Sequence, residues 1–119
     1  MKYLLMLYAD EKAGQAIPPE QMAGFMGQMA AYQAALEKAG AFVSTSALQG
    51  TSTARTGSAA NGELKVHDGP YADTREQFGG YYIIEAPDMD AAIKLAAQCP
   101  AATWGQIEIR PYHPQYSPS

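Results

Sequence analysis

The run Lys2-Tyr3-Leu4-Leu5-Met6-Leu7-Tyr8 constrains the fold more than any other part of this 119-residue chain. Side chains alternate across a strand, so Tyr3, Leu5 and Leu7 take one face and Leu4, Met6 and Tyr8 the other; both sets are apolar. Such a strand belongs inside a sheet, with something covering each side. The run is too short to be the core of a signal peptide, and Asp10 and Glu11 follow it with no small-residue cleavage pattern. No stretch approaches the ~20 apolar residues that cross a bilayer, so a soluble, cytoplasmic protein without membrane contact is expected.

From Pro18 the period changes. Met22, Phe25, Met26, Met29, Tyr32 and Leu36 fall on one stripe of a long helix, with Pro19 tolerated in its opening turn and Gly40 suited to its end. The methionines read as adaptable core filling against Met6 rather than as a cofactor box. After Gly40, Ala41-Phe42-Val43 begins an extended segment. A Gly-, Ser- and Thr-rich stretch then leads to Asn61-Gly62, a favoured pair for a tight hairpin turn.

The returning strand, Glu63 to His67, puts Leu64 and Val66 on one face and Glu63, Lys65 and His67 on the other. Gly69-Pro70 forces a turn, and Thr74-Arg75-Glu76-Gln77 has the spacing of a capping box that opens one helical turn, although a bare turn satisfies the same signal. Tyr81 to Ala86 reads as a strand. Asp88 then caps a second helix with Ala92, Ile93 and Ala96 on its buried stripe, stopped by Pro100, and Gly105 to Arg110 alternates as a last strand.

Strand, helix, hairpin strands, strand, helix, strand is close to a split β-α-β arrangement. It predicts an α+β domain over residues 1–111, an antiparallel sheet with two helices on one face, followed by a mobile tail over residues 112–119. The other sheet face would then be uncovered although Leu4, Met6, Tyr81 and Ile83 are apolar, so a homodimer stacking sheet on sheet is expected.

Composition narrows the functional classes. A net charge of −4 argues against nucleic acid as a partner, and a single cysteine, Cys99, excludes an intrachain disulfide. His67, His113, Cys99 and the acidic residues show no metal-ligand spacing, and Gly79-Gly80 lacks the pattern of a dinucleotide or phosphate loop, so no metal or cofactor is expected.

The segment Asp68-Gly69-Pro70-Tyr71-Ala72-Asp73-Thr74-Arg75-Glu76-Gln77-Phe78-Gly79-Gly80-Tyr81-Tyr82, with Met1 to Tyr8 before it and Ile107-Glu108-Ile109-Arg110-Pro111 after it, resembles the YCII-related, or DGPF-domain, family. The motif's usual phenylalanine is Tyr71 here, and His67 stands where threonine is common. The resemblance implies a ferredoxin-like fold of the dimeric α+β barrel type, a His and Asp site suggested in the wider superfamily, and relatives found beside alternative sigma factors.

His67 and Asp68 are therefore the candidate catalytic pair: an imidazole exchanges protons near neutral pH and a carboxylate orients it or serves as a second base. Adjacent strand residues face opposite ways, however, so the two cannot bond to each other without a bulge or turn. A surface imidazole and a turn-holding carboxylate are the plain alternatives. Tyr8, Tyr71, Arg75 and Tyr81 are the candidate substrate-binding residues: Tyr8 and Tyr81 as phenol donors, Tyr71 closing the pocket and Arg75 meeting an anion. Two functional classes follow. One is a cofactor-independent isomerase or lyase acting on a small carbonyl-containing or aromatic-derived acid. The other is a noncatalytic metabolite-binding or regulatory module linked to sigma-factor-dependent transcription.

Overall fold

The computed structural model describes residues 1–116. Strand β1 (Lys2–Ala9) lies inside a four-stranded sheet of order β2-β5-β1-β6, where β2 is Phe42–Ala47, β5 is Gln77–Glu85 and β6 is Gln106–Pro111. Every pairing in it is antiparallel. The α+β class and the antiparallel sheet are as the sequence predicts.

Two helices, α2 (Pro19–Lys38) and α3 (Met89–Ala97), pack on one face of the sheet. Tyr3 and Leu5 of β1, Tyr82 and Ile84 of β5, Tyr32 and Leu36 of α2, and Ala92 and Ala96 of α3 form the buried core, with Cys99 beside them. The Tyr32 hydroxyl donates to the Leu95 carbonyl at 2.8 Å, tying α2 to α3, and its ring meets Tyr82 edge-on at 5.3 Å between centroids. Leu5 and Ile84 are fully enclosed. Asp88 caps α3 by accepting from the Ala91 N–H at 2.9 Å, and Gly40, at φ 71°, turns the chain out of α2.

Four expectations need correction. The α2 stripe is buried only at Tyr32 and Leu36; Met22, Phe25 and Met29 are half-exposed and Met26 is exposed, because the N-terminal half of α2 does not close onto the sheet. Ile93 is exposed, since the short α3 reaches the core through its small residues Ala92 and Ala96. Thr74 caps no helical turn: its hydroxyl donates to the Glu76 carbonyl, Gln77 donates from Nε2 to the Thr74 carbonyl at 2.6 Å, and β5 starts at Gln77. A short helix missing from the sequence reading, α1 (Glu11–Gln15), follows β1, with Asp10 accepting from the Lys12 and Ala13 N–H groups.

The hairpin is present as a separate two-stranded sheet of β3 (Arg55–Ser58) and β4 (Lys65–Asp68). Its connection spans residues 59–64, longer than the two-residue turn that Asn61-Gly62 suggests, although Gly62 does adopt φ 85°. Leu64 and Val66 share a face, against Gly57, and both stay exposed. The radius of gyration, 16.2 Å, exceeds the roughly 13.5 Å of a compact domain of this length, consistent with a hairpin that projects from the main sheet. Beyond β6 the Tyr112 N–H donates to the Lys2 carbonyl at 2.9 Å and the His113 and Tyr116 rings lie 4.6 Å apart. The end of the predicted tail, residues 117–119, lies outside the described residues.

Candidate functional site

The residues at the C-terminal end of β1 define the site. β1 pairs with β5 through a bulge between Leu7 and Tyr8, so that Leu7 lies opposite Gly80 and Tyr8 opposite Phe78. On its other side Tyr8 pairs with Gln106 of β6. Strand parity puts Tyr8 on the sheet face that carries no helix, with Glu108 diagonal to it. The approach of β6 is close: any Cβ on Gly105 would overlap the Tyr8 carbonyl oxygen. A residue without a side chain is required there.

Behind Tyr8 the chain is clamped by Glu11. Its carboxylate accepts from the Thr51 N–H at 2.9 Å and hydroxyl at 2.8 Å, while its own N–H donates to Gln77 Oε1 at 2.9 Å. Three segments distant in sequence are thus fixed around the end of β1. The spacing of Asp10 and Glu11 after a strand carries a capping signal, but nothing local announces the partners Thr51 and Gln77.

Three cavities meet at Tyr8. A polar cleft of about 870 Å³ has Tyr8, Asp10, Arg75, Glu76, Trp104 and Glu108 in its wall. A cavity of about 490 Å³ lies between α2 and the sheet, with Leu7, Gly80 and Tyr82 on the strand side and the Tyr81 backbone position at its margin. A third, of about 450 Å³, lies at the base of the hairpin, between Tyr71, Leu48 and Phe78. Tyr8 contributes to all three, and its ring stands 5.7 Å from that of Phe78.

The Tyr8 phenol is held protonated beyond its ordinary range. Partial burial raises its pKa most, the neighbouring Glu108 charge and a hydrogen bond to Glu108 raise it further, and Arg110 opposes them. Arg110 itself stands 3.5 Å from the Glu108 carboxylate. At neutral pH Tyr8 is a hydrogen-bond donor beside a carboxylate, an arrangement that can polarise a carbonyl or hydroxyl and pass a proton.

The structure brings Tyr8 together with Arg75, Tyr71 and Tyr81, each in a different cavity. His67 and Asp68 line none of these three. Both sit on β4, opposite Thr56 and Arg55, and both are exposed. Asp68 Oδ1 pairs with Arg55 Nε at 3.1 Å, and the Gly69 turn is held by other bonds: the Gly69 N–H to the Ala54 carbonyl and the Thr56 hydroxyl to the Gly69 carbonyl. Glu108 is the site residue that sequence reasoning missed; the alternation of β6 placed it on the open face, but only the register against β1 sets it beside Tyr8. Among the described residues no group of three or more His, Cys, Asp or Glu side chains is placed to hold a metal ion.

A mixed sheet-and-helix domain with cavities converging on one strand end is the class that fold and site define. The YCII-related domain model matches residues 1–115. Over 124 aligned residues, covering all of both chains, the sequence is 33% identical to an uncharacterized protein of Rhizobium meliloti (strain 1021). The chain belongs to the YCII-related family. No helix among the described residues is long and apolar enough to cross a membrane.

Proposed function

We propose that this protein binds a small organic molecule in the cleft around Tyr8 and moves a proton on it, as an isomerase or lyase that needs no cofactor. The observation that carries the reading is Tyr8 itself: one tyrosine in the walls of all three cavities, with its phenol beside Glu108. Tyr8 polarises the reacting group, and Glu108 is the nearby carboxylate for proton transfer.

The working unit in this proposal is a cytoplasmic homodimer. The strand order β2-β5-β1-β6, with α2 and α3 as the connections on one face, supports a ferredoxin-like reading. Leu4, Met6, Tyr81 and Ile83 on the helix-free face support association of the barrel type, in which a second copy covers them. In that assembly His67 and Asp68, outside the cavities of their own chain, act only where a hairpin reaches the other copy's cleft.

A noncatalytic binding or regulatory module is the second reading, favoured by the exposed position of His67 and Asp68 on the hairpin. A metabolite panel scored by thermal shift, followed by turnover assays on each hit, separates the two. Under the enzyme reading Tyr8→Phe keeps the ligand-induced shift and lowers turnover by roughly 10²–10⁴-fold, the usual scale of general acid catalysis. Hits that bind without turnover in the unmodified protein assign the binding module instead.

A further inference from the structure

The cavity under α2 is built differently from the polar cleft. Met26, Met29, Ala30 and Gln33 project from one face of α2, at spacings of three and four residues. Facing them, the sheet offers Leu7, Ala47 and Gly80, three positions in mutual register across β1, β5 and β2. Gly80 has no side chain and Ala30 and Ala47 have only methyl groups, so the space between helix and sheet is left open where a core would ordinarily fill it. The volume, about 490 Å³, is within the roughly 300–1,000 Å³ range of small-ligand sites, and methionines suit a wall that must adapt to an apolar occupant.

This cavity and the polar cleft share Tyr8, Asp10 and Trp104 in their walls, so the two adjoin at the end of β1. The charges around them are unequal. Asp10, Glu11, Glu76 and Glu108 are four carboxylates, against the guanidiniums of Arg75 and Arg110. An anion brought to Arg75 would enter a negative field, while a cation would be drawn in.

We propose that the ligand is amphipathic: an apolar aryl or alkyl body under α2 and a cationic amine in the Tyr8 cleft. This rests on the small-molecule reading of the cleft and names its ligand class; it replaces the carboxylic acid expected from Arg75 alone.

Trp104 is the single tryptophan of the chain and lines both cavities, so its fluorescence reports occupancy directly. The probes are 4-phenylbutylamine, 4-phenylbutanol and 4-phenylbutyrate, which share one apolar body and differ in charge. At low ionic strength the amine is expected to give a saturable change with a Kd at least roughly tenfold below that of the carboxylate, the alcohol falling between, and the gap narrows as salt is added. Ala30→Phe fills the cavity and abolishes the response to amine and alcohol alike, whereas Ala34→Phe, on an exposed part of α2 outside the cavity, leaves it intact. Ala47→Leu fills the same space from the sheet and serves if Ala30→Phe does not fold.

Carboxylate affinity equal to or better than that of the amine overturns the proposal. So does the absence of a saturable change with any probe, or binding that survives both filling variants. Failure of the enzyme reading is distinguishable, because it shows as amine binding to the intact cavity with no turnover of any amine carrying this body.

Discussion

Tyr32, Tyr82 and Cys99 are ionisable groups that the core holds in their neutral form. Burial is the main cause for each, pushing the two phenols above their ordinary 10.0 and the thiol above its ordinary 9.0. A pKa raised by folding means that the native chain holds its proton more tightly than the unfolded chain. The contribution to stability is therefore complete below about pH 8.5–9 and is lost as the pH climbs through the ordinary values toward the raised ones. Thermal unfolding followed from pH 7 to 11 should show a midpoint that is flat at first and falls steeply above about pH 9; Cys99→Ala should remove the earliest part of that fall. Leu5 offers a test of packing alone. It is fully enclosed, so Leu5→Ala should destabilise by about 2–5 kcal/mol in urea unfolding, with far-UV circular dichroism of the folded state unchanged.

At the scale of elements the molecule divides into a sheet held from two sides and a hairpin held mostly by itself. Among the described residues β3 and β4 pair only with each other, the hairpin's apolar residues Leu64 and Val66 are exposed, and the Arg55–Asp68 pair joining the strands is solvent-facing and worth ~0–1 kcal/mol. An isolated two-stranded hairpin is marginal in water. Its amides should therefore exchange with solvent orders of magnitude faster than those of β1 and β5 when exchange is followed by mass spectrometry, unless a second copy covers them. Much of this arrangement was legible in advance. Two-sided apolarity placed β1 inside the sheet, Asp88 announced α3, and Asn61-Gly62 announced the hairpin. Periodicity misled on α2, because Met26 and Met29 look alike whether they are buried or line a gap; what leaves the gap is the small side of the opposing wall, Gly80 and Ala47, which only strand register reveals. The same limit hid Glu108, and hid the place of His67 and Asp68 on a hairpin outside the three cavities.

The whole molecule is a slab measuring 47 × 44 × 18 Å, thin because the helices cover only one face of the sheet. In the proposed homodimer the bare face is covered by its own copy. Sedimentation velocity at micromolar concentration should then give a dimer, and Met6→Lys, placing a charge in the middle of that face, should give a folded monomer; a monomer before mutation would remove the basis of the assembly. The order of strands has a further consequence, in time rather than space. β1 leaves the ribosome well before either of its sheet partners, β5 and β6, is made. Until they emerge, the most apolar segment of the chain has no native edge to pair with, and the long loops that must close make sheet formation slow. A nascent chain thus carries the Leu-Leu-Met-Leu segment of β1 unpaired until β5 and β6 emerge, and in that interval the segment is open to non-native pairing and association.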